Sequence, residues 1–132
     1  MERTLLIIKP DATERNLIGH IIARLERARF RLVALKMVRL TREEAGRFYA
    51  VHRGKPFFND LTAYMSSGVI VPMVLEKENA IADLRLLIGV TDPGEAASGT
   101  LRDEIGRDKQ RNSVHASDSA ESAAVEIPFF FP

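Results

Sequence analysis

With 132 residues, 45% of them hydrophobic and 28% charged, the chain has the size and composition of one globular domain, residues 1–132, long enough to bury a core. Its formal net charge of +1 gives no overall field that recommends nucleic acid or a membrane surface as partner. The absence of cysteine excludes disulfides, a thiolate nucleophile and sulfur-ligated metal; apolar runs such as "GVIVPMVL" are too short to cross a bilayer, and an amino terminus without a signal peptide's apolar core makes the cytoplasm the expected compartment.

In chain order, Thr4 to Lys9, "TLLIIK", is a β-rich run closed by Pro10 and reads as a buried strand. Asp11 and Thr13 offer helix-start signals, and Leu17, Ile18, Ile21, Ile22 and Leu25 recur at helical spacing, predicting a first helix. Phe30 to Leu40 predicts the second strand. Thr41 and Glu44 have capping-box spacing, which predicts a helix running past Tyr49. After breaks at Gly54 and Pro56, a short helix ends near Gly68, and Val69 to Leu75 forms the third strand. Pro72 within it cannot donate to a ladder, which points to an edge or a bulge. Ile81, Leu84 and Ile88 make a helical stripe stopped by Gly89. Val90 to Arg111 reads as a long irregular loop with brief helical turns, a length usually kept for function. The last strand falls near Asn112 to His115, followed by a helix capped at Asp118 with Glu121 three residues on. Four strands alternating with helices predict an α/β (α+β) fold. Its expected form is a ferredoxin-like split βαβ sandwich, with a four-stranded antiparallel sheet covered by helices on one face.

No two of the three histidines, His20, His52 and His115, sit at metal-ligand spacing, so no protein-built metal site is expected. His20 reads as solvated surface and His52 as a helix-end residue. His115, inside "NSVHASDSAESAAVEI", is by local sequence either a surface-turn residue or a nucleophile supported by the following helix. Lys9, Arg85 and Arg102 each have an ordinary reading as strand-end, snorkelling or loop cations. They come from different elements, however, and phosphate binding needs cations and donors that converge from different elements. Tyr49 and Thr91 would add hydroxyls.

Taken together, the motifs resemble the nucleoside diphosphate kinase family. "NSVHASDS" resembles its active-site signature, Asn-x-x-His-(Gly/Ala)-Ser-Asp-(Ser/Gly/Ala), and "TLLIIKPDA" its opening strand. "YAVHRGKPFFNDLTAYMSSG" resembles its nucleotide-binding helical hairpin, "LRLLIGVTDPGEAASGTLR" its arginine, threonine and glycine loop, and "ESAAVEIPFFF" its closing helix. The similarity runs through nearly the whole chain in the same order. Departures occur at Ala116, Val69, Leu84, Lys77, Ser98 and Lys109, the last standing where the family usually has an apolar cover for the base.

The resemblance implies the ferredoxin-like fold and transfer of a γ-phosphoryl group from a nucleoside triphosphate to a nucleoside diphosphate through a phosphohistidine. Carried over residue by residue, His115 matches the nucleophile, and Ser117 and Glu126 its support. Lys9, Tyr49, Arg85, Thr91 and Arg102 match the phosphate-binding groups; Asn112 and Lys9 match contacts to the sugar hydroxyls; Phe57 matches the aromatic on which the base stacks. Mg²⁺ would ride on the nucleotide, and stacking would accept most bases. The family also implies a homo-oligomer, a tetramer first with a hexamer as alternative, and the apolar tail "IPFFFP" should pack on its own domain or a neighbour. The rivals are a non-catalytic nucleotide-binding or regulatory member of the same fold and a nucleic-acid-binding domain. The second would need basic-aromatic strands that this sequence lacks.

Overall fold

A computed structural model describes all residues, Met1–Pro132. It contains one antiparallel sheet of four strands, β1 (Glu2–Ile8), β2 (Arg31–Leu35), β3 (Val71–Lys77) and β4 (Val114–Ala116), in the order β2-β3-β1-β4. The helices are α1 (Pro10–Glu14), α2 (Ile18–Arg27), α3 (Arg42–Phe48), α4 (Phe58–Met65), α5 (Ala80–Ile88), α6 (Leu101–Ile105) and α7 (Ala120–Phe130). The predicted split βαβ arrangement is the observed one. No helix is long and apolar enough to cross a membrane.

Covering of the sheet differs from the expectation of one protected face. β1 is buried from Thr4 to Ile8, and alternating side chains enter two cores. Leu6 and Ile8 join Ile21 and Leu25 of α2, Leu84 and Ile88 of α5 and Leu101 of α6. Leu5 and Ile7 join Ala45 of α3, Met65 of α4, Tyr49 and Phe130 of α7. A continuous apolar strand has no solvent face, so both sides must be covered. Phe130 seats the apolar tail on its own domain.

Local chemistry moves several boundaries. The single first helix is two, because Asn16 takes a left-handed φ of 59° between α1 and α2. Pro10 starts α1 at its first turn, where its missing N–H has no partner to lose, and β1 therefore ends at Ile8 with Lys9 as the hinge. Pro72 lies in an interior strand, and the irregularity of the β2–β3 ladder falls between Leu32 and Ala34, so the expectation of an edge or a bulge at Pro72 is not met. Its carbonyl accepts from Lys36 N at 3.2 Å, just past the end of β2. The two backbone groups of a strand residue face the same neighbour, so the absent donor points where that ladder has already ended. The Thr41–Glu44 capping box is present with both hydrogen bonds, but α3 stops at Phe48 and Tyr49 leads into a tight 3₁₀ turn, Ala50–His52. Gly89, at φ 88°, ends α5 as predicted, and Thr100 packs where any Cβ would stand. The loop from Val90 contains a 3₁₀ turn at Pro93–Glu95 and α6. α7 is capped by Ser119, which accepts from Ser122 N, and not by Asp118, which accepts from the Ser122 hydroxyl at 2.5 Å.

Candidate active site

The carboxyl end of β1, the start of β4 and the loop between α5 and β4 meet around a cavity of about 810 Å³. It is lined by Lys9, Tyr49, Phe57, Arg85, Thr91, Arg102, Asn112, His115 and Glu126, so nine of the ten residues selected from sequence come together. The tenth, Ser117, is fully buried behind His115 and hydrogen-bonds to Glu126.

His115 stands on β4 opposite Ile7 of β1. Its ring lies edge-on to Phe48 at 5.4 Å and to Tyr49 at 5.8 Å between centroids. Nε2 is 3.0 Å from Glu126 Oε1, and the Ser117 hydroxyl donates to that same oxygen at 2.7 Å. A carboxylate oxygen accepts, so the imidazole carries its proton on Nε2 and keeps its lone pair on Nδ1. Glu126 comes from the middle of α7, whose two ends are fixed by the Ser119 cap and by buried Phe130. The ring is therefore held by groups from three elements.

A strained turn sets the approach to β4. Ser113 has φ 80° and lies between Asn112 O and Val114 N, which are hydrogen-bonded at 3.0 Å. This is a γ-turn of the rare positive-φ kind, a conformation that costs on the order of 1–3 kcal/mol. It is held by Asp11, 97% buried, which accepts from Ser113 N and Oγ at 3.4 Å each, from Arg15 at 3.3 Å and from the Tyr64 hydroxyl. The turn aims Asn112 into the gap between elements. Its amide donates to Thr91 O and Lys109 O, both at 2.9 Å, and its Oδ1 accepts from Lys9 Nζ at 2.9 Å. Both amide hydrogens are thus committed within the chain.

The cations differ in how they are held. Lys9 is buried and also donates to Gln110 O at 3.2 Å; desolvation first, then Arg102, pushes its ammonium down to about 8. Arg102 is buried on α6 and donates to Gly89 O at 3.0 Å and Val114 O at 2.8 Å. Burial and then Arg85 push it down to about 10, which leaves it cationic at neutral pH. Arg85 projects from the exposed side of α5 with one long contact, 3.5 Å to Ala116 O. Arg102 Nε and the Tyr49 hydroxyl are buried and unpaired. Burial, then Glu126, raises the Tyr49 phenol, so it stays a neutral donor.

The opposite end is apolar. Phe57 caps the entry to α4 and is 46% exposed, beside Val51 and Leu61. Lys109 also lines the cavity and is exposed. Polar or charged lining residues not selected from sequence are His52, Lys55, Gln110, Asp118 and Ser122. His52, read as a plain helix-end residue, stacks on Tyr49 at 6.3 Å and meets Phe57 edge-on at 5.2 Å. Partial burial, then Lys55, holds it below the usual histidine range. The three-residue spacing from Tyr49, within one tight turn, was the available signal. His20 is not simple solvated surface either, since it pairs with Glu104 of α6. No cluster of three or more His, Asp or Glu side chains could hold a metal ion.

The chain is similar to known proteins over nearly its whole length. The family model for nucleoside diphosphate kinase matches residues 2–132. A curated nucleoside diphosphate kinase from Chlorobium luteolum is 60% identical over 131 residues, covering 99% of this chain and 94% of the relative. One from Chloroherpeton thalassium is 56% identical, covering 99% and 93%. Among solved structures, the Aquifex aeolicus nucleoside diphosphate kinase superposes with a TM-score of 0.97 at 51% identity, covering 99% of this chain and 95% of that one. The Halobacterium salinarum enzyme, solved in complex with CDP, gives 0.95 at 40% identity, covering 98% and 87%. The chain belongs to the nucleoside diphosphate kinase family.

Proposed function

We propose that this cavity transfers the γ-phosphoryl group of a nucleoside triphosphate to a nucleoside diphosphate in two steps, with Nδ1 of His115 as the intermediate carrier. The observation that carries the reading is the Nε2 contact to Glu126, which leaves the Nδ1 lone pair available in a cavity lined by Lys9, Lys55, Arg85, Arg102 and Lys109. Nδ1 attacks the γ-phosphorus, the bond to the β-phosphate oxygen breaks, and the diphosphate leaves with that electron pair. A second diphosphate attacks the phosphohistidine through its terminal oxygen and restores the imidazole. One difficult transfer becomes two easier ones. Glu126 and Ser117 hold the ring and stabilise the positive charge it gains. Arg85, Arg102, Thr91, Tyr49 and neutral His52 supply donors to the phosphates, since positioning and charge stabilisation are most of what phosphoryl transfer requires. Lys9 and the remaining lone pair of Asn112 Oδ1 meet the sugar hydroxyls.

Mg²⁺ would arrive with the nucleotide and supply charge neutralisation on its phosphates. The cavity's own donor set fits that arrangement: its carboxylates are Glu126, engaged by His115, and Asp118, engaged by Ser122. The same reading takes residues 1–132 as one catalytic domain, acting in the cytoplasm as a homo-oligomer, a tetramer first and a hexamer as the alternative. The initial test is two-substrate kinetics. Parallel double-reciprocal lines are expected, and intersecting lines would mean direct transfer without a phosphoenzyme.

Two predictions belong here. Lys9 titrates near 8 in the free protein, so kcat/KM should fall as pH rises through about 8, approaching tenfold per unit above it. Folding lowers this pKa from 10.5, so between pH 8 and 10.5 the unfolded chain binds more protons and this group's contribution makes stability rise. The alkaline loss should therefore occur without loss of the folded state, measured by circular dichroism at each pH. Phe57→Ala should weaken diphosphate binding by roughly 1–3 kcal/mol, the range for lost base stacking, across guanine, adenine and pyrimidine nucleotides alike. Calorimetry with the four common diphosphates checks this; selectivity confined to one base would place the base elsewhere.

A further inference from the structure

Arg102 is carried by α6, which has only five residues and sits in the largely irregular stretch between α5 and β4. A helix of that length has no independent stability, yet its guanidinium must be fixed to fractions of an ångström. Gly89 O and Val114 O hold the guanidinium itself and buried Leu101 seats the helix, and a further tie lies outside the cavity, on the face of α2 that looks at α6. Arg24 spreads its guanidinium across both ends of the short helix. Nη1 donates to Glu104 Oε2 at 2.5 Å, and Nη2 donates to Gly99 O at 2.7 Å, just before the Thr100 cap. His20, one turn earlier on α2, engages the other oxygen of Glu104. α2 is itself anchored by buried Ile21 and Leu25. Arg24 lines no part of the cavity.

We propose that Arg24, through Glu104 and the Gly99 carbonyl, is a positioning residue for the transfer reaction, holding α6 so that Arg102 meets the transferring phosphoryl group. The inference rests on the reading of Arg102 as a phosphate-binding group. As a surface ion pair the contact would add little to stability. Its effect on rate is larger, because a displacement of about 1 Å at a charge-stabilising group can cost up to roughly 100-fold.

The test is a double-mutant cycle with Arg24→Ala and Arg102→Ala, reading kcat, KM for the diphosphate, and melting temperature. Arg24→Ala is expected to lower kcat about tenfold with less than a twofold change in KM. In the Arg102→Ala background it should change kcat by less than about twofold, because nothing remains to be positioned. Glu104→Gln, which keeps the shape of the side chain, should show the same background dependence with a smaller loss, and stands in if Arg24→Ala does not fold. Wild-type kcat in Arg24→Ala, or the same factor in both backgrounds, would overturn the proposal. If Arg102→Ala alone kept the wild-type rate, the phosphate reading of Arg102 would fail instead, and the positioning role with it.

Discussion

His115→Ala should reduce phosphoryl transfer by at least about four orders of magnitude, the scale on which removal of a covalent nucleophile leaves only binding and charge stabilisation. Diphosphate affinity and fold should change little. The imidazole is only partly buried, and its hydrogen bond ends on Glu126, which retains the Ser117 donor. What the substitution removes is the one side chain in the cavity that presents a lone pair from a ring held by a carboxylate and two aromatic edges. Stopped-flow mixing with a triphosphate should show no phosphoenzyme phase in this variant. A variant that still turned over within tenfold of wild type would mean that the γ-phosphoryl group never resides on His115.

Arg102→Ala should lower kcat by roughly 10²–10³-fold, the loss usual for one preorganised donor to developing charge, with a smaller effect on diphosphate affinity. This residue also binds Gly89 O and Val114 O inside the protein. Its truncation therefore leaves two carbonyls without their donor, at about 1–3 kcal/mol each where they stay buried, and the melting temperature should fall. Arg85→Ala should slow transfer in the same direction with almost no thermal penalty, because that guanidinium is exposed and makes one long contact. Single-turnover rates and melting curves on both variants separate these cases. If either arginine altered only diphosphate affinity, it would be a ground-state contact.

The two arginines also illustrate what was legible in the sequence and what was not. Both could be selected as cations from different elements, and the structure brings them to one cavity. That one is buried and doubly tied while the other is nearly free depends on how α6 packs against β4, which no local spacing encodes. Elements governed by nearest neighbours were readable: the β1 run, the Thr41–Glu44 box and the Gly89 stop. Elements decided by distant packing were not. Pro72 looked like an edge residue because its missing donor is a local fact, whereas its position beside the end of β2 is a tertiary one. Ser119 took the cap from Asp118 by a shift of one residue, a choice between two equally good caps. Glu126 lies on a mostly apolar helix, and its role became visible in sequence only through the family resemblance. His52 was passed over because its neighbours Tyr49 and Phe57 meet it through a turn and not along one helix.

The most direct test of the central claim is the chemistry of the labelled protein. The purified chain is incubated with γ-labelled ATP and Mg²⁺, freed of nucleotide, and divided between acid and alkali before proteolysis and mass spectrometry. A phosphohistidine at His115 predicts one label, lost in acid and kept in alkali, on the peptide containing "NSVHASDS", and fully discharged by added nucleoside diphosphate. An acid-stable label, a label on Ser117 or Ser119 that diphosphate does not remove, or no label at all would contradict it.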